Sequence, residues 1–189
     1  MNDGRLNIAI ILALAFFVSI LSTPVWPGQI DLDGRVGEDS CRLASTQLGV
    51  PIIRDLTPRE VVLVARVNLV RRQNGLPPLA YAGDGARKVA RLHSERMLEV
   101  GFFAHRDDYG DTAGTRLSRS GVDWRVVGEN LLEETGAPST DAVVADAVDA
   151  WFRSPDHRAN ILDETYTETA VGIASRDGHT YLTQLFIAR

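Results

Sequence analysis

The sequence predicts an α+β fold in which helices cover both faces of a small β-sheet at the C-terminal end of the chain. Three segments carry the apolar periodicity of helices, and they begin near Thr57, Asp84 and Thr140. Two β-rich runs, 169–175 and 180–188, close the chain, and a strong turn pair, Asp177-Gly178, separates them. Because the last run has apolar residues on both of its faces, we expect helices on both sides of the sheet.

Length and composition limit the classes of protein to which the chain can belong. With 189 residues, of which 44% are hydrophobic, the chain can bury one core of ordinary size. The net charge of -5 argues against nucleic-acid binding, which requires a basic face. The single cysteine, Cys41, excludes an intramolecular disulfide framework and a multi-cysteine metal site. Cys41 is either an unimportant thiol or a link to a second chain.

The N-terminal region contains the most continuously apolar stretch of the chain, residues 8–21. Its length suits the core of a signal peptide, whereas the wider stretch 6–25 is long enough for a membrane anchor. We therefore expect residues 1–27 to form a hydrophobic helix that is either a cleaved signal peptide or an uncleaved anchor. Residues 28–55 are expected to be a linker and residues 56–189 a domain outside the cytoplasm, secreted or anchored in the membrane.

Two helices open the predicted domain. Thr57 can cap the first, and Glu60 three residues later completes a capping box; the helix should end near Gly75. The second helix is expected over residues 84–100. His93 falls on its apolar face, so we interpret it as a core histidine rather than a ligand.

The middle of the chain is expected to be mostly loop, with a short helix around residues 115–120. Residues 126–127 are expected to form a short strand that runs into a turn at 128–130. A third long helix then contains Trp151, which we assign to the core, and Pro155 should interrupt it. Ser154-Pro155 is typical of a new helix start, which puts His157 in the first turn of a short helix.

Three polar residues stand at the ends of these elements or in loops: His105, Glu129 and His157. Two imidazoles and a carboxylate are the minimum set for a zinc site that keeps one position open. The positive end of the helix dipole should keep His157 neutral and able to bind metal. Their wide spacing matches no short ligand motif, so the residues alone leave a metal site and an unliganded structural cluster both open.

Six blocks in order give the chain a family resemblance. They are VNLVRRQNGLPPL (67–79), ARLHSERM (90–97), FFAHRD (102–107), GENL (128–131), AWFRSPDHRANIL (150–162), and AVGIA (170–174) with YLTQLF (181–186). In this order they resemble the CAP superfamily, or SCP domain, which includes cysteine-rich secretory proteins, antigen 5 and plant pathogenesis-related proteins. The SPDHR block is similar to the SPxHR subtype of microbial members. The resemblance covers residues 56–189.

This resemblance implies a three-layer α/β/α sandwich with a central, mostly antiparallel sheet. It also implies a cleft where His105, Glu129 and His157 meet and where zinc or another divalent ion binds. The second glutamate of many eukaryotic members would follow Trp151 by three residues, and Ser154 stands there instead. The disulfides of eukaryotic members are absent too, so packing alone must hold this core.

Three hypotheses for function follow from these observations. In the first, the cleft holds a divalent ion and binds an envelope or extracellular protein, or an apolar ligand. In the second, the domain is a metal-dependent, peptidase-like hydrolase in which Glu129 is the general base. In the third, the cluster only ties loops together and has no ligand. The side chains that could line or surround the cleft are Tyr109, Trp124, Arg106, Arg153 and Arg158.

Overall fold

A computed structural model describes residues 56–189 of the chain. The expected N-terminal helix (1–27), the linker (28–55) and Cys41 therefore lie outside the described residues. Within residues 56–189, no helix is long and apolar enough to cross a membrane.

Five helices and four strands make up the described domain. The helices are α1 (Pro58–Gln73), α2 (Asp84–Val100), α3 (Ala113–Arg119), α4 (Thr140–Arg153) and α5 (Pro155–Leu162). The strands are β1 (Ala80–Tyr81), β2 (Val126–Thr135), β3 (Glu168–Arg176) and β4 (His179–Ala188).

The strands form one mixed sheet in the order β1-β3-β4-β2. β4 pairs antiparallel with β3 on one side and with β2 on the other, whereas the two-residue β1 pairs parallel with β3. The expected hairpin at Asp177-Gly178 joins β3 to β4, and Asp177 has a positive φ of 52° there. The prediction of a mostly antiparallel sheet is confirmed.

Each face of the sheet has its own hydrophobic core. On one face, Leu182 and Phe186 of β4 pack with Trp151 of α4 and with residues of α1 and α5. On the other face, Leu185 and Ile187 pack with residues of α2 and α3. The helices therefore cover both faces, which confirms the expected three-layer α/β/α sandwich.

The layer formed by α2 lies very close to the sheet at Gly172 of β3. A Cβ atom at Gly172 would lie 2.1 Å from the backbone nitrogen of Arg91. No real Cβ tolerates such a contact, so glycine lets the helix backbone rest directly on the strand. This contact fixes α2, and with it the loop that follows α2 and carries His105.

Helix α1 begins as the sequence predicts. The Thr57 backbone nitrogen donates to Oε2 of Glu60 (2.8 Å), and the Glu60 nitrogen donates to Oγ1 of Thr57 (3.4 Å), which completes the capping box. The Glu60 side chain also accepts from Arg87 of α2 (3.1 Å). The cap therefore links the two helical layers as well as starting a helix.

The hydrogen bonds of Asn68 and Arg71, both in α1, explain the spacing between these two residues and the turn that follows them in the block 67–79. The Asn68 side chain binds both backbone groups of Leu79: its Nδ2 donates to the oxygen (3.0 Å) and its Oδ1 accepts from the nitrogen (2.8 Å). The fully buried Arg71 donates to four backbone oxygens, those of Pro77, Ile161, Asp163 and Tyr166. These bonds fix both the segment after α1 and the end of α5.

One prediction for this region is wrong. Residues 128–130 do not form a turn, because β2 continues through them to Thr135 and pairs with β4 along its whole length. β2 is an edge strand, and its last residues are exposed and polar, so the apolar alternation that marks a strand fades after Leu132. The two-residue β1 was not predicted either, since it follows two prolines and has no periodicity of its own.

Candidate functional site

Three separate elements supply the cluster of His105, Glu129 and His157, which we call the His/Glu/His cluster. His105 lies in the loop after α2, Glu129 lies in β2, and His157 lies in the first turn of α5. The Nδ1 atom of His105 lies 2.9 Å from Oε1 of Glu129. The Glu129 side chain is 5% exposed and the His105 side chain is 61% exposed, so the pair joins a buried carboxylate to an accessible imidazole.

Arg116 of α3 holds the other side of Glu129. Its Nη2 donates to Oε2 of Glu129, while its Nη1 donates to the backbone oxygens of His105 (3.1 Å) and Asp111 (2.9 Å). The guanidinium is therefore bonded both to the carboxylate and to the loop that carries His105. Sequence reasoning missed Arg116, because nothing in its local pattern separates it from the many exposed arginines of this chain.

Asn130 and Asn160 fix His157 relative to Glu129. The Asn130 side chain donates to the backbone oxygen of His157 (3.0 Å), and the Asn160 side chain donates to Oδ1 of Asn130 (2.9 Å) and to the backbone oxygen of Glu129 (3.3 Å). These bonds attach the start of α5 to β2 beside the carboxylate. They give Asn130 of the GENL block (128–131) a physical role that spacing alone did not reveal.

Gly128 permits this close attachment. A Cβ atom there would lie 2.5 Å from the Tyr166 hydroxyl oxygen and 2.9 Å from Oδ1 of Asn160. A larger residue would displace Asn160 from its two acceptors. The glycine before Glu129 is therefore required by packing rather than by a turn.

The pKa values of the two histidines of the cluster are shifted in opposite directions. The hydrogen bond to Glu129 raises the pKa of His105 above its ordinary value, although partial burial and Arg116 oppose the shift. Burial lowers the pKa of His157, and the charge on His105 lowers it further. At pH 7 this shift favours the neutral form of His157. The two imidazoles are therefore close enough for the charge on one to affect the pKa of the other.

The atoms of the cluster that could bind a metal ion belong to its two imidazoles, and Glu129 does not complete a set of three ligands. Within residues 56–189 no group of three or more His, Cys, Asp or Glu side chains is arranged to hold a metal ion. Both oxygens of Glu129 are engaged, one by His105 and one by Arg116. That leaves Nε2 of His105 and the imidazole of His157, which are two of the three protein ligands that a zinc ion with one open position takes. Glu129 fits the role of the carboxylate that orients a ligating histidine.

The remaining predicted residues lie outside this cluster. His93 is 2% exposed and Trp151 is 1% exposed, so both predictions of a core position are confirmed. Trp124 donates from its indole nitrogen to the backbone oxygen of Gly114 (3.1 Å) and packs against α3. Tyr109 is 73% exposed, and the guanidinium of Arg96 lies 5.2 Å from its ring centre.

The arginines expected near the histidines have their own partners or are exposed. Arg106 donates to the backbone oxygen of Gly110 (2.9 Å), and the Arg158 guanidinium lies 4.6 Å from the ring centre of Phe152. Arg153 is exposed at the end of α4. None of the three is hydrogen-bonded to a member of the His/Glu/His cluster among the bonds of the described domain.

Sequence comparison connects the chain to two bacterial proteins. It is 31% identical over 134 residues to the uncharacterized membrane protein YlbC of Bacillus subtilis, a match that covers 70% of this chain and 35% of the relative. It is 28% identical over 130 residues to the uncharacterized protein YkwD of Bacillus subtilis, a match that covers 69% of this chain and 47% of the relative. The chain thus spans less than half the length of either relative.

Solved structures share the same fold. An extracellular protein with an SCP domain from Bacillus anthracis matches with a TM-score of 0.58 and 28% identity, over 69% of this chain and 40% of that one. An outer surface protein from Borrelia burgdorferi matches with a TM-score of 0.60 and 20% identity, over 71% of this chain and 96% of that one. At 20% identity the second match shows the fold alone.

A family model settles the resemblance found in the sequence. The model of the cysteine-rich secretory protein family, CAP, matches residues 64–186, which run from within α1 to within β4 and include all three members of the His/Glu/His cluster. With the three-layer fold and the similar structures, this match shows that the chain belongs to the CAP family.

Proposed function

We propose that this protein is an extracytoplasmic binding domain whose His/Glu/His cluster holds a divalent metal ion, with zinc as the first candidate. The observation that carries the proposal is the bond of 2.9 Å between His105 Nδ1 and the buried Glu129. It fixes the imidazole ring and leaves Nε2 of His105 available beside the neutral imidazole of His157. A bound ion would supply an electrophilic centre on which an envelope or extracellular ligand, a protein or an apolar molecule, could be oriented.

The position of Glu129 favours binding over hydrolysis. A general base must present a free oxygen to the proton that it removes. Both oxygens of Glu129 are hydrogen-bonded within the protein, one to His105 and one to Arg116. The hydrolase hypothesis makes a distinct prediction, which is chelator-sensitive cleavage of a peptide or ester library that disappears in Glu129→Gln.

Calorimetric titration of the purified full-length chain with zinc chloride tests the metal proposal. We expect a saturable heat for the unaltered chain and its loss in His105→Ala and in His157→Ala. His179→Ala is the matched control, because His179 lies in β4 and bonds to Thr135 rather than to the cluster. If the unaltered chain gives no heat, the cluster only ties the loop, β2 and α5 together.

The location outside the cytoplasm is supported by the similar proteins. One relative is described as a membrane protein and two similar structures as an extracellular and an outer surface protein. The apolar stretch within residues 6–25 could hold the chain in the membrane if it is not cleaved. Cys41 provides the test, because it is the only cysteine. A membrane-impermeant maleimide should label intact cells, and Cys41→Ser should abolish that label; labelling only after lysis would contradict the proposal.

A further inference from the structure

Arg116 joins the loop that carries His105 to the strand that carries Glu129. Its Nη1 donates to the backbone oxygens of His105 (3.1 Å) and Asp111 (2.9 Å), which lie at the two ends of the loop 105–111. Its Nη2 donates to Oε2 of Glu129. A single guanidinium therefore closes the loop and attaches it to β2.

Helix α3 gives Arg116 a rigid base. The side chain of Thr112 caps this helix by accepting from the backbone nitrogen of Thr115 (3.3 Å). Leu117 of the same helix is fully buried and belongs to the same hydrophobic core as Ile187 of β4. Because α3 is capped and packed on the sheet, the position of Arg116 is fixed by the core of the domain.

Two other arginines attach the loop to helices, but they do not reach the His/Glu/His cluster. Arg96 of α2 pairs with Asp108. Arg119 of α3 pairs with Asp111. Their side chains are 35% and 67% exposed, compared with 10% for Arg116. Among the bonds of the described domain, neither Arg96 nor Arg119 contacts a member of the cluster, so Arg116 has a role there that they do not share.

The bond between Arg116 and Glu129 determines which carboxylate oxygen faces His105. Because Arg116 holds Oε2, Oε1 is the oxygen that lies 2.9 Å from Nδ1 of His105. A carboxylate oxygen only accepts, so Nδ1 carries the proton in the neutral ring and the lone pair of Nε2 is free. Nε2 is the atom that the proposed function requires for a metal ion.

The charge of Arg116 and its hydrogen bonds should have opposite effects on metal binding. A guanidinium close to the cluster repels a divalent cation, so loss of the charge alone would strengthen binding. Loss of the hydrogen bonds would weaken binding, because the carboxylate and the loop would no longer be fixed. Groups that orient a ligating histidine typically contribute about 10- to 100-fold to metal affinity, so we expect the second effect to be larger.

We propose that Arg116 is a positioning residue of the metal site, which fixes Glu129 and the loop 105–111 so that Nε2 of His105 stays available for the ion. This inference rests on the proposed function, because it assigns a role at the same site. Arginine suits the role because its guanidinium presents several donors in one rigid plane, whereas the ammonium of lysine is a point charge.

Calorimetric titration of the full-length chain with zinc chloride separates the hydrogen bonds of Arg116 from its charge. Arg116→Met removes both, whereas Arg116→Lys keeps the charge but cannot bind all three acceptors. We expect zinc to bind about tenfold more weakly, or weaker still, to both variants. Arg119→Met is the matched control, because it removes a cation from the same helix without touching the cluster, and it should bind zinc as the unaltered chain does. Tighter binding by Arg116→Met with unchanged binding by Arg116→Lys would show an effect of charge alone and overturn the proposal.

A second measurement needs no metal. In EDTA, at a pH where the ring is neutral, ¹⁵N nuclear magnetic resonance should find the proton of His105 on Nδ1 in the unaltered chain. In both Arg116 variants a large part of it should move to Nε2, the form that an unrestrained histidine side chain prefers in water. Unchanged amide resonances in β4 would show that the variants are folded.

The two measurements separate this inference from the proposed function. If the unaltered chain binds no zinc, the proposed function fails and this inference fails with it. If the unaltered chain binds zinc, and both Arg116 variants keep its affinity and the proton on Nδ1 of His105, this inference alone is overturned.

Discussion

Oε1 of Glu129 lies 2.9 Å from Nδ1 of His105, and this bond joins β2 to the loop that follows α2. Because Arg116 donates to the other carboxylate oxygen, Glu129 has a fixed orientation. The imidazole of His105 is consequently held by a charge-assisted bond, although most of its side chain is exposed. The properties of the candidate site should therefore depend on Glu129 more than on any other residue.

Replacing Glu129 by glutamine should lower the pKa of His105. The carboxylate is the largest cause of the raised pKa, and a neutral amide cannot replace its charge. The change can be followed by nuclear magnetic resonance titration of the imidazole protons in the unaltered chain and in Glu129→Gln. Glu134→Gln, an exposed change on the same strand, is the control and should leave the His105 titration where it was. An unchanged His105 pKa in Glu129→Gln would show that the bond does not persist in solution.

The same bond makes the stability of the domain depend on pH. The folded-state pKa of His105 is raised above the unfolded value of about 6.5, so the folded state binds the proton more tightly. Its contribution to the free energy of unfolding is fully present below about pH 6.5 and is lost as the pH rises through the folded-state pKa.

Urea unfolding of the unaltered chain and of His105→Asn at about pH 5.5 and about pH 8.5 measures this contribution. The variant should lose more stability at the lower pH than at the higher one. His179→Asn, in the exposed first position of β4, controls for the loss of an imidazole elsewhere. A larger loss at the higher pH would reverse the sign and contradict the assignment.

The proposed metal site leads to a further expectation for Glu129→Gln. Carboxylates that orient ligating histidines typically contribute 10- to 100-fold to metal affinity, so zinc should bind about 10- to 100-fold more weakly. In the unaltered chain, zinc affinity should increase with pH, since zinc must displace the proton from Nε2 of His105. Calorimetry at several pH values measures both effects. Equal affinity in the two proteins would exclude an orienting role for Glu129.

The sequence predicted most of the fold because most of its signals are local. The capping box at Thr57, the helix start at Pro155 and the turn at Asp177 each need only a few neighbouring residues, and all three occur as expected. The extent of β2 depends instead on its pairing with β4, whose residues lie about fifty positions further along the chain. Local periodicity could not supply that information, so residues 128–130 were wrongly assigned to a turn.

The candidate site was predictable only in part, for a similar reason. The residues alone singled out the two histidines and Glu129, and the family resemblance implied that they meet in one cleft. The roles of Arg116, Asn130 and Asn160 depend on side-chain contacts between α3, β2 and α5. Those contacts form only when the layers pack, and no spacing in the sequence encodes them. Gly128 is an example, because a side chain there would collide with Tyr166, which is distant in the sequence; a turn is not the reason for the glycine.

Arg71 should be one of the most important residues for stability, although it is far from the surface and carries a charge. It donates to four backbone oxygens, and burial lowers its pKa, with Asp163 opposing that shift. Arg71→Met would leave those oxygens without donors and should reduce the free energy of unfolding by about 2–4 kcal/mol. Urea unfolding measures the loss, with the exposed change Arg153→Met as the control. Equal effects of the two changes would refute the structural role of Arg71.

Gly172 should tolerate no side chain, because α2 lies against it. The Cβ of Gly172→Ala would lie 2.1 Å from the Arg91 nitrogen and 2.3 Å from its Cα, and backbone atoms of a helix cannot move aside as the tip of a side chain can. The change should therefore force α2 away from β3 and cost about 3 kcal/mol of unfolding free energy. Gly85→Ala is the matched comparison, since its nearest neighbour is a terminal methyl group of Val122 at 2.9 Å, and alanine also favours the first turn of α2. Urea unfolding should thus rank Gly172→Ala far below Gly85→Ala in stability. The opposite ranking would mean that α2 does not rest on β3 at this point, and the loop that carries His105 would lose its fixed support.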